Sequence, residues 1–220
     1  MNPGAVAGTR DALHAVCEHV LAAALYAETG HIGLRVVPGG FATPAFGAQA
    51  SVVTLGADHL TVTDRGGTRS GPLTTLRAAA ALVGVEPGAP TAVYTPATPL
   101  DLDAAIAIDA EAASVVIHWY ETVSAALTAF APEGAQTLWP EHFDLAIRQN
   151  NCNYGGLAGD VAITEPYVYV GPPSVPAGDG FFDQPFGAAR TWTQAPSAER
   201  IAAFFAEGAR RSTELGATLA

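Results

Sequence analysis

The segment Trp139-Pro140-Glu141-His142-Phe143-Asp144-Leu145-Ala146-Ile147-Arg148 holds the densest set of residues able to do chemistry. Read as a strand, its alternation puts Phe143, Leu145 and Ile147 on one face and His142, Asp144 and Arg148 on the other. The run Tyr167 to Val170 repeats the pattern, with Val168 and Val170 on one side and Glu165, Tyr167 and Tyr169 on the other. Pro166 confines the start of that second strand to an edge or a strand end. Pairing the two runs as a hairpin would bring both polar faces to one side of a sheet, beneath the loop 150–164 that carries Asp160.

Such a face could run acid/base chemistry. A carboxylate bonded to imidazole fixes its tautomer and raises its basicity, and a guanidinium grips a carboxylate substrate through two bonds. On this reading His142, Asp144 and Tyr167 are the catalytic groups of a small-molecule enzyme. Arg148, Glu165, Tyr169 and Asp160 then bind its substrate. The rival reading is a non-catalytic ligand-binding or protein-interaction domain, because alternating polar and apolar residues mark any half-exposed antiparallel strand.

Other chemistries find less support. His14 and Glu18 stand at i, i+4 and His118 and Glu121 at i, i+3, so each pair could offer two metal ligands on a helix face. Neither matches a known metal motif, and both read as ordinary helix-surface pairs, so the sequence assigns no metal and no cofactor. There is no Gly-x-Ser-x-Gly elbow, and Cys152 has only Asn151 and Asn153 beside it, so a thiol nucleophile would need His142 brought to it by the fold. The glycines of 155–159 fit neither a dinucleotide fingerprint nor a phosphate loop. Phe181, Phe182, Phe186 and Trp192 are expected to cap the core before the last helix.

The elements that must position these residues follow from hydrophobic period. Leu13, Val16, Cys17, Val20, Leu21 and Ala24 recur at helical spacing, which predicts a helix over 9–29 stopped by Gly30. Strands are expected at 32–37, at 51–55 and 59–63 as a hairpin, at 91–94, at 138–149 and at 167–170. Residues 64–70 read as a polar turn, 150–166 as a turn-rich loop and 171–180 as a Gly/Pro connection. Helices are expected at 74–83, over 104–130 and from Ser197 to about Leu215. Hairpin-type strands mixed with helices, without regular βαβ alternation, predict an α+β fold: a mainly antiparallel sheet packed by three to four helices in a single domain.

Composition bounds the function. The 220 residues are 49% hydrophobic, enough for a sizeable core, and no run of about 18 apolar residues is free of charge, Pro or Gly. Residues 1–10 show neither a basic start nor an apolar stretch, so a cytoplasmic protein is expected. Two cysteines do not make a disulfide framework. All ten basic residues are arginine, which excludes a Schiff-base lysine, a pyridoxal phosphate anchor and a phosphate-loop lysine. A formal charge of -11 disfavours nucleic acid and anionic membrane as partners. A small-molecule ligand is the expected partner, and a homodimer is compatible with the sequence. The lysine-free, alanine-rich composition suggests a GC-rich bacterial genome.

At Gly39-Gly40-Phe41-Ala42-Thr43-Pro44, at 139–146 and at Glu165-Pro166-Tyr167-Val168-Tyr169, the chain resembles an uncharacterised actinobacterial family of unknown function. More distantly it is similar to a larger bacterial domain-of-unknown-function family with a His-Leu pair in its first helix, here inverted as Leu13-His14, and a Phe-Asp-Leu-Ala strand, here Phe143 to Ala146. The resemblance implies no activity and no catalytic residues.

Overall fold

The computed structural model describes residues 3–175 and 180–218. Its fold is α+β with antiparallel sheets, and its contacts group into two compact units. The first comprises the chain up to His118 together with Thr137–Phe143, and the second comprises Trp119–Gln136 and the chain from Asp144 onward.

The first unit opens with a continuous helical run: α1 (Pro3–Val16), a π-helical turn (Cys17–Leu21) and α2 (Ala22–Thr29). Gly30 ends it in the left-handed conformation that a residue with no Cβ adopts without strain, and its N–H closes on the Tyr26 carbonyl. The π turn inserts an extra residue into the helical repeat. All five of its residues, including Glu18 and His19, are buried, where straight helical spacing places 18 and 19 outside.

Five strands follow in a meander, β1 (Arg35–Val37), β2 (Gly40–Ala42), β3 (Val52–Leu55), β4 (His59–Asp64) and β5 (Gly67–Pro72), each antiparallel to the one before it. Phe41, Val53, Leu55, Leu60 and Val62 point into the core, each contributing on the order of 1.5–3 kcal/mol by leaving water. The polar turn expected at 64–70 gives way to β5. That strand is exposed and has no apolar face to betray it, and it is held by the ladder to β4 and by hydroxyl pairs Thr61–Ser70 (3.0 Å) and Thr63–Thr68 (3.3 Å).

Helix α3 (Leu76–Val83) is capped by Thr75, whose hydroxyl accepts from the Ala78 N–H. A connection without regular strand or helix runs from Val85 to Asp109. The strand expected at 91–94 is a turn closed on the Pro90 carbonyl. Helix α4 (Ala110–Phe130) starts six residues later than its apolar composition predicts, because Asp109 caps it by accepting from the Ala112 N–H at 2.9 Å. β6 (Thr137–Trp139) belongs to the first unit through a two-bond bridge between Leu34 and Leu138.

In the second unit, β7 (Asp144–Gln149), β8 (Cys152–Leu157), β9 (Tyr167–Gly171) and β10 (Ala188–Thr191) lie in the order β10-β9-β8-β7. The long strand expected over 138–149 is two strands, β6 and β7, interrupted by the turn at 140–143. Pro140 lacks a donor, and Phe143 takes a left-handed φ of 51° that no strand continues through. The stretch 150–166, expected as a loop, contains β8. Asn150 and Asn151, both with positive φ, form the tight hairpin turn into it.

Helix α5 (Ala198–Thr218) and the end of α4 pack on this sheet, with Phe130, Tyr154 and Phe205 forming a mutual aromatic cluster. Phe181 and Phe182 pack on each other and Phe181 on Phe204, as capping residues should, while Phe186 is 41% exposed. Residues 176–179 of the expected Gly/Pro connection lie outside the described residues. Among the described residues no helix is long and apolar enough to cross a membrane.

Candidate functional sites

In the second unit the strands bring part of the expected polar face together. Ala146 on β7, Gly155 on β8 and Tyr169 on β9 stand in one row of the sheet. Asp144, two residues before Ala146, and Tyr167, two before Tyr169, share their face. A Cβ on Gly155 would stand 2.9 Å from the Tyr169 hydroxyl, 2.6 Å from the Leu145 carbonyl oxygen and 3.0 Å from Ala146 Cβ. The bare strand therefore lets the Tyr169 ring cross it, and the phenol donates to Oδ2 of the buried Asp144.

Beside this pair, Tyr167 donates to Asp160 Oδ2 at 2.7 Å, while Asp160 Oδ1 accepts from the Ala162 and Ile163 N–H groups. Burial first, then the adjoining carboxylates, push both phenols above the ordinary tyrosine range. Both stay protonated at neutral pH and act as hydrogen-bond donors to the carboxylates.

The other expected members stand elsewhere. His142 is exposed in the turn before β7, so the strand alternation that paired it with Asp144 does not reach it. Arg148 is exposed towards the end of β7. Glu165 accepts from the Thr193 N–H (2.7 Å) and hydroxyl (2.5 Å), which fixes the entry to β9.

The first unit carries a second constellation, around the π turn. Glu18, fully buried, accepts from the N–H groups of Ala97 and Thr98 at 2.9 Å each and from the Thr98 hydroxyl at 2.5 Å. His19 Nδ1 accepts from the Ala89 N–H at 3.0 Å, so its proton is on Nε2, which donates to the Thr98 carbonyl at 3.1 Å. That tautomer is neutral, and the 3.7 Å approach of Nε2 to Glu18 is not an ion pair. Together the two side chains clamp the Val85–Asp109 connection to the helix at 89 and at 97–98.

Tyr94 lies between those two anchor points. One helical turn before Glu18, His14 donates from Nε2 to the Pro140 carbonyl at 2.7 Å and stacks on Phe143, with ring centres 4.9 Å apart and planes 7° from parallel. Burial holds the His14 imidazole below its ordinary pKa, against opposing effects of the Pro140 bond and the Glu18 charge, so it is neutral at pH 7. Its partner Phe143 is the buried residue with left-handed backbone, a conformation that costs on the order of 1–2 kcal/mol without glycine and is held by packing on Phe41 and His14.

Within this constellation two polar atoms have no surface and, among the described residues, no hydrogen-bond partner: the Tyr94 hydroxyl and Glu141 Oε2. They hang from neighbouring stretches of one helix, Tyr94 through the Glu18 and His19 clamps and Glu141 through the His14 bond to Pro140. Burial first, then the Glu18 and Glu141 charges, raise the Tyr94 phenol above its ordinary range.

The sequence pattern concealed this site. Helical spacing reads His14 and Glu18 as a surface pair, and the π turn that buries Glu18 and His19 leaves no local sequence signal. The one available clue was two adjacent ionisable residues, Glu18 and His19, set between the apolar runs 15–17 and 20–25. Among the described residues no group of three His, Cys, Asp or Glu side chains is placed to hold a metal ion. Comparison of the chain with protein-family models, with curated proteins and with solved structures finds no match, so no residue role is carried over from a relative.

Proposed function

We propose that the first unit binds a small polar molecule through the buried Tyr94 hydroxyl and Glu141 carboxylate, whose chain neighbours are bonded to the helix at His14, Glu18 and His19. The observation that carries this reading is the pair of buried, partnerless atoms, Tyr94 Oη and Glu141 Oε2. A buried donor or acceptor left unmade costs about 1–3 kcal/mol, and such groups in native proteins call for a water, an ion or a ligand. A guest that accepts from the phenol and donates to the carboxylate offsets both costs together.

Three further features support the reading. The clamps at 89 and at 97–98 hold Tyr94 in a long connection of the kind that elsewhere forms lids and binding loops. Phe143 keeps a strained backbone at the neighbouring turn, and strain of this kind gathers at sites. His14, neutral and donating through Nε2, keeps a lone pair on Nδ1 and so a proton acceptor within the constellation. The acid/base reading of the second sheet loses its histidine, since His142 stands outside the strand, and its tyrosines are committed to carboxylates.

The experiment is an NMR titration of the full chain with ethanolamine, glycerol and acetate, repeated on the Tyr94→Phe/Glu141→Gln double variant. At least one probe should move the resonances of residues 94 and 141 in the parent and leave them unmoved in the variant. A crystal structure with Tyr94 Oη bonded directly to Glu141 would leave nothing for a guest to satisfy and would end the proposal.

A further inference from the structure

We infer that the strap formed by residues 88–98 and the register of the first helical run are one switch. With the strap seated the helix carries its π turn, and with the strap released it runs on unbroken in the α register. The inference concerns a movement of the fold and stands apart from the binding reading above.

The strap is seated by bonds that land on two adjacent residues. The His19 carbonyl accepts from the Gly88 N–H at 2.9 Å, and the His19 ring accepts from the Ala89 N–H at 3.0 Å and donates to the Thr98 carbonyl at 3.1 Å. Glu18 takes the N–H groups of Ala97 and Thr98 and the Thr98 hydroxyl. Among residues 88–98 only Pro90 is buried, and Val93 is 51% exposed. Polar bonds, with little apolar burial behind them, therefore hold the segment, and segments of that kind open locally without global unfolding.

The helix has a second register to go to. Leu13, Val16, Cys17, Val20, Leu21 and Ala24 form one apolar stripe on an unbroken α-helix, with Glu18 and His19 on the outer face. In that register the His19 carbonyl turns to the N–H four residues further on, and so away from Gly88. In the π register the Ala22 N–H reaches back to the Cys17 carbonyl, and Glu18 and His19 are buried. Two polar side chains so placed need partners, and the strap supplies them. Releasing the strap removes what makes the π register tolerable, and the unbroken register removes what seats the strap. The coupling is reciprocal.

Thr98 Oγ1 lies 3.0 Å from His19 Nε2 and donates to Glu18, which groups a hydroxyl, an imidazole and a carboxylate. The Ala89 N–H on Nδ1 puts the imidazole proton on Nε2, so His19 has no lone pair with which to take the hydroxyl proton. The group is a latch and not an activated nucleophile.

The test is saturation-transfer and relaxation-dispersion NMR on the full chain, on Thr98→Val and on Glu18→Gln. The register is read from the through-hydrogen-bond coupling of the Ala22 N–H, which falls on Cys17 in the π turn and on Glu18 in an unbroken helix. Thr98→Val alters the strap alone. It should raise the population of the released state by about tenfold or more, the loss expected for a hydroxyl bonded to a carboxylate. Residues 17–22 and 88–98 should exchange with one rate and one population, in the microsecond-to-millisecond range of helix register shifts. Glu18→Gln, which keeps one acceptor oxygen, should raise the population less. Thermal unfolding checks that each variant folds, and Glu18→Gln carries the test if Thr98→Val does not.

A released strap with the shifts of 17–22 unchanged and the Ala22 N–H still on Cys17 overturns the coupling. Separate rates for the two segments, or no exchange at either of them in both variants, overturn it as well.

Discussion

Tyr169 reaches Asp144 across the bare backbone of Gly155, a hydrogen bond that spans an entire intervening strand. The bond exists only because the middle strand has no side chain at that point. Position 155 thus governs a contact between two residues that neither neighbour it in sequence nor sit on adjacent strands.

Gly155→Ala should therefore destabilise the second unit by about 1–3 kcal/mol, the usual cost of overpacking, since the new methyl would lie 2.6 Å from the Leu145 carbonyl oxygen as well as against the phenol. Urea denaturation measures it. In a Tyr169→Phe background the penalty should shrink but not vanish, because the hydroxyl is gone while the carbonyl remains. A Gly155→Ala protein as stable as the parent would mean that the strands part easily and that the crossing is not tightly packed.

How much of this could be read from the chain depends on which physical signal each element emits. The β3–β4 hairpin and helix α3 announce themselves by period and by turn or cap residues, and their expected positions agree with the structure to within two residues. β5 emits no such signal, because an exposed edge strand has no apolar face and its Thr and Ser pairs look like a turn. β8 was hidden by the habit of reading Asn and Gly as loop: Asn150-Asn151 is a hairpin turn requiring left-handed φ, and Gly155 is a clearance for Tyr169.

The candidate sites divide the same way. That Tyr167 and Tyr169 share one strand face was legible, since strand alternation is local, but the direct hairpin expected to join that face to Asp144 does not form: β8 stands between the two strands. The attachment of residues 89, 97 and 98 and of Pro140 to the first helical run is not local, and it depends on a π turn and on a long connection whose path the sequence does not record.

The His14 imidazole sets a pH dependence with a definite sign. Its folded pKa lies below the ordinary 6.5, so below that value the unfolded chain binds a proton that the folded chain resists. Stability then rises with pH in this window: the contribution is fully present above about 6.5 and is lost as pH falls towards the folded pKa. Urea midpoints taken at intervals from pH 7.5 downward should show this decline in the parent. His14→Gln, which keeps a donor for the Pro140 carbonyl, should lack that component. Parallel declines in both proteins would assign the acid sensitivity to other groups.

The clamp formed by Glu18 should be the most costly of these features to break. Glu18→Ala leaves the Ala97 and Thr98 N–H groups and the Thr98 hydroxyl without their shared acceptor, and each buried donor left unmade costs about 1–3 kcal/mol. Glu18→Gln keeps one acceptor oxygen and should cost less. Native-state hydrogen exchange separates a local effect from a global one. If Glu18 acts as a clamp, the amides of 97 and 98 should exchange faster in Glu18→Gln while core amides such as Val53 and Leu60 keep the protection set by global stability. Uniform acceleration at all these positions would make Glu18 a general contributor to folding, and Tyr94 would then owe its position to something other than the anchor at 97–98.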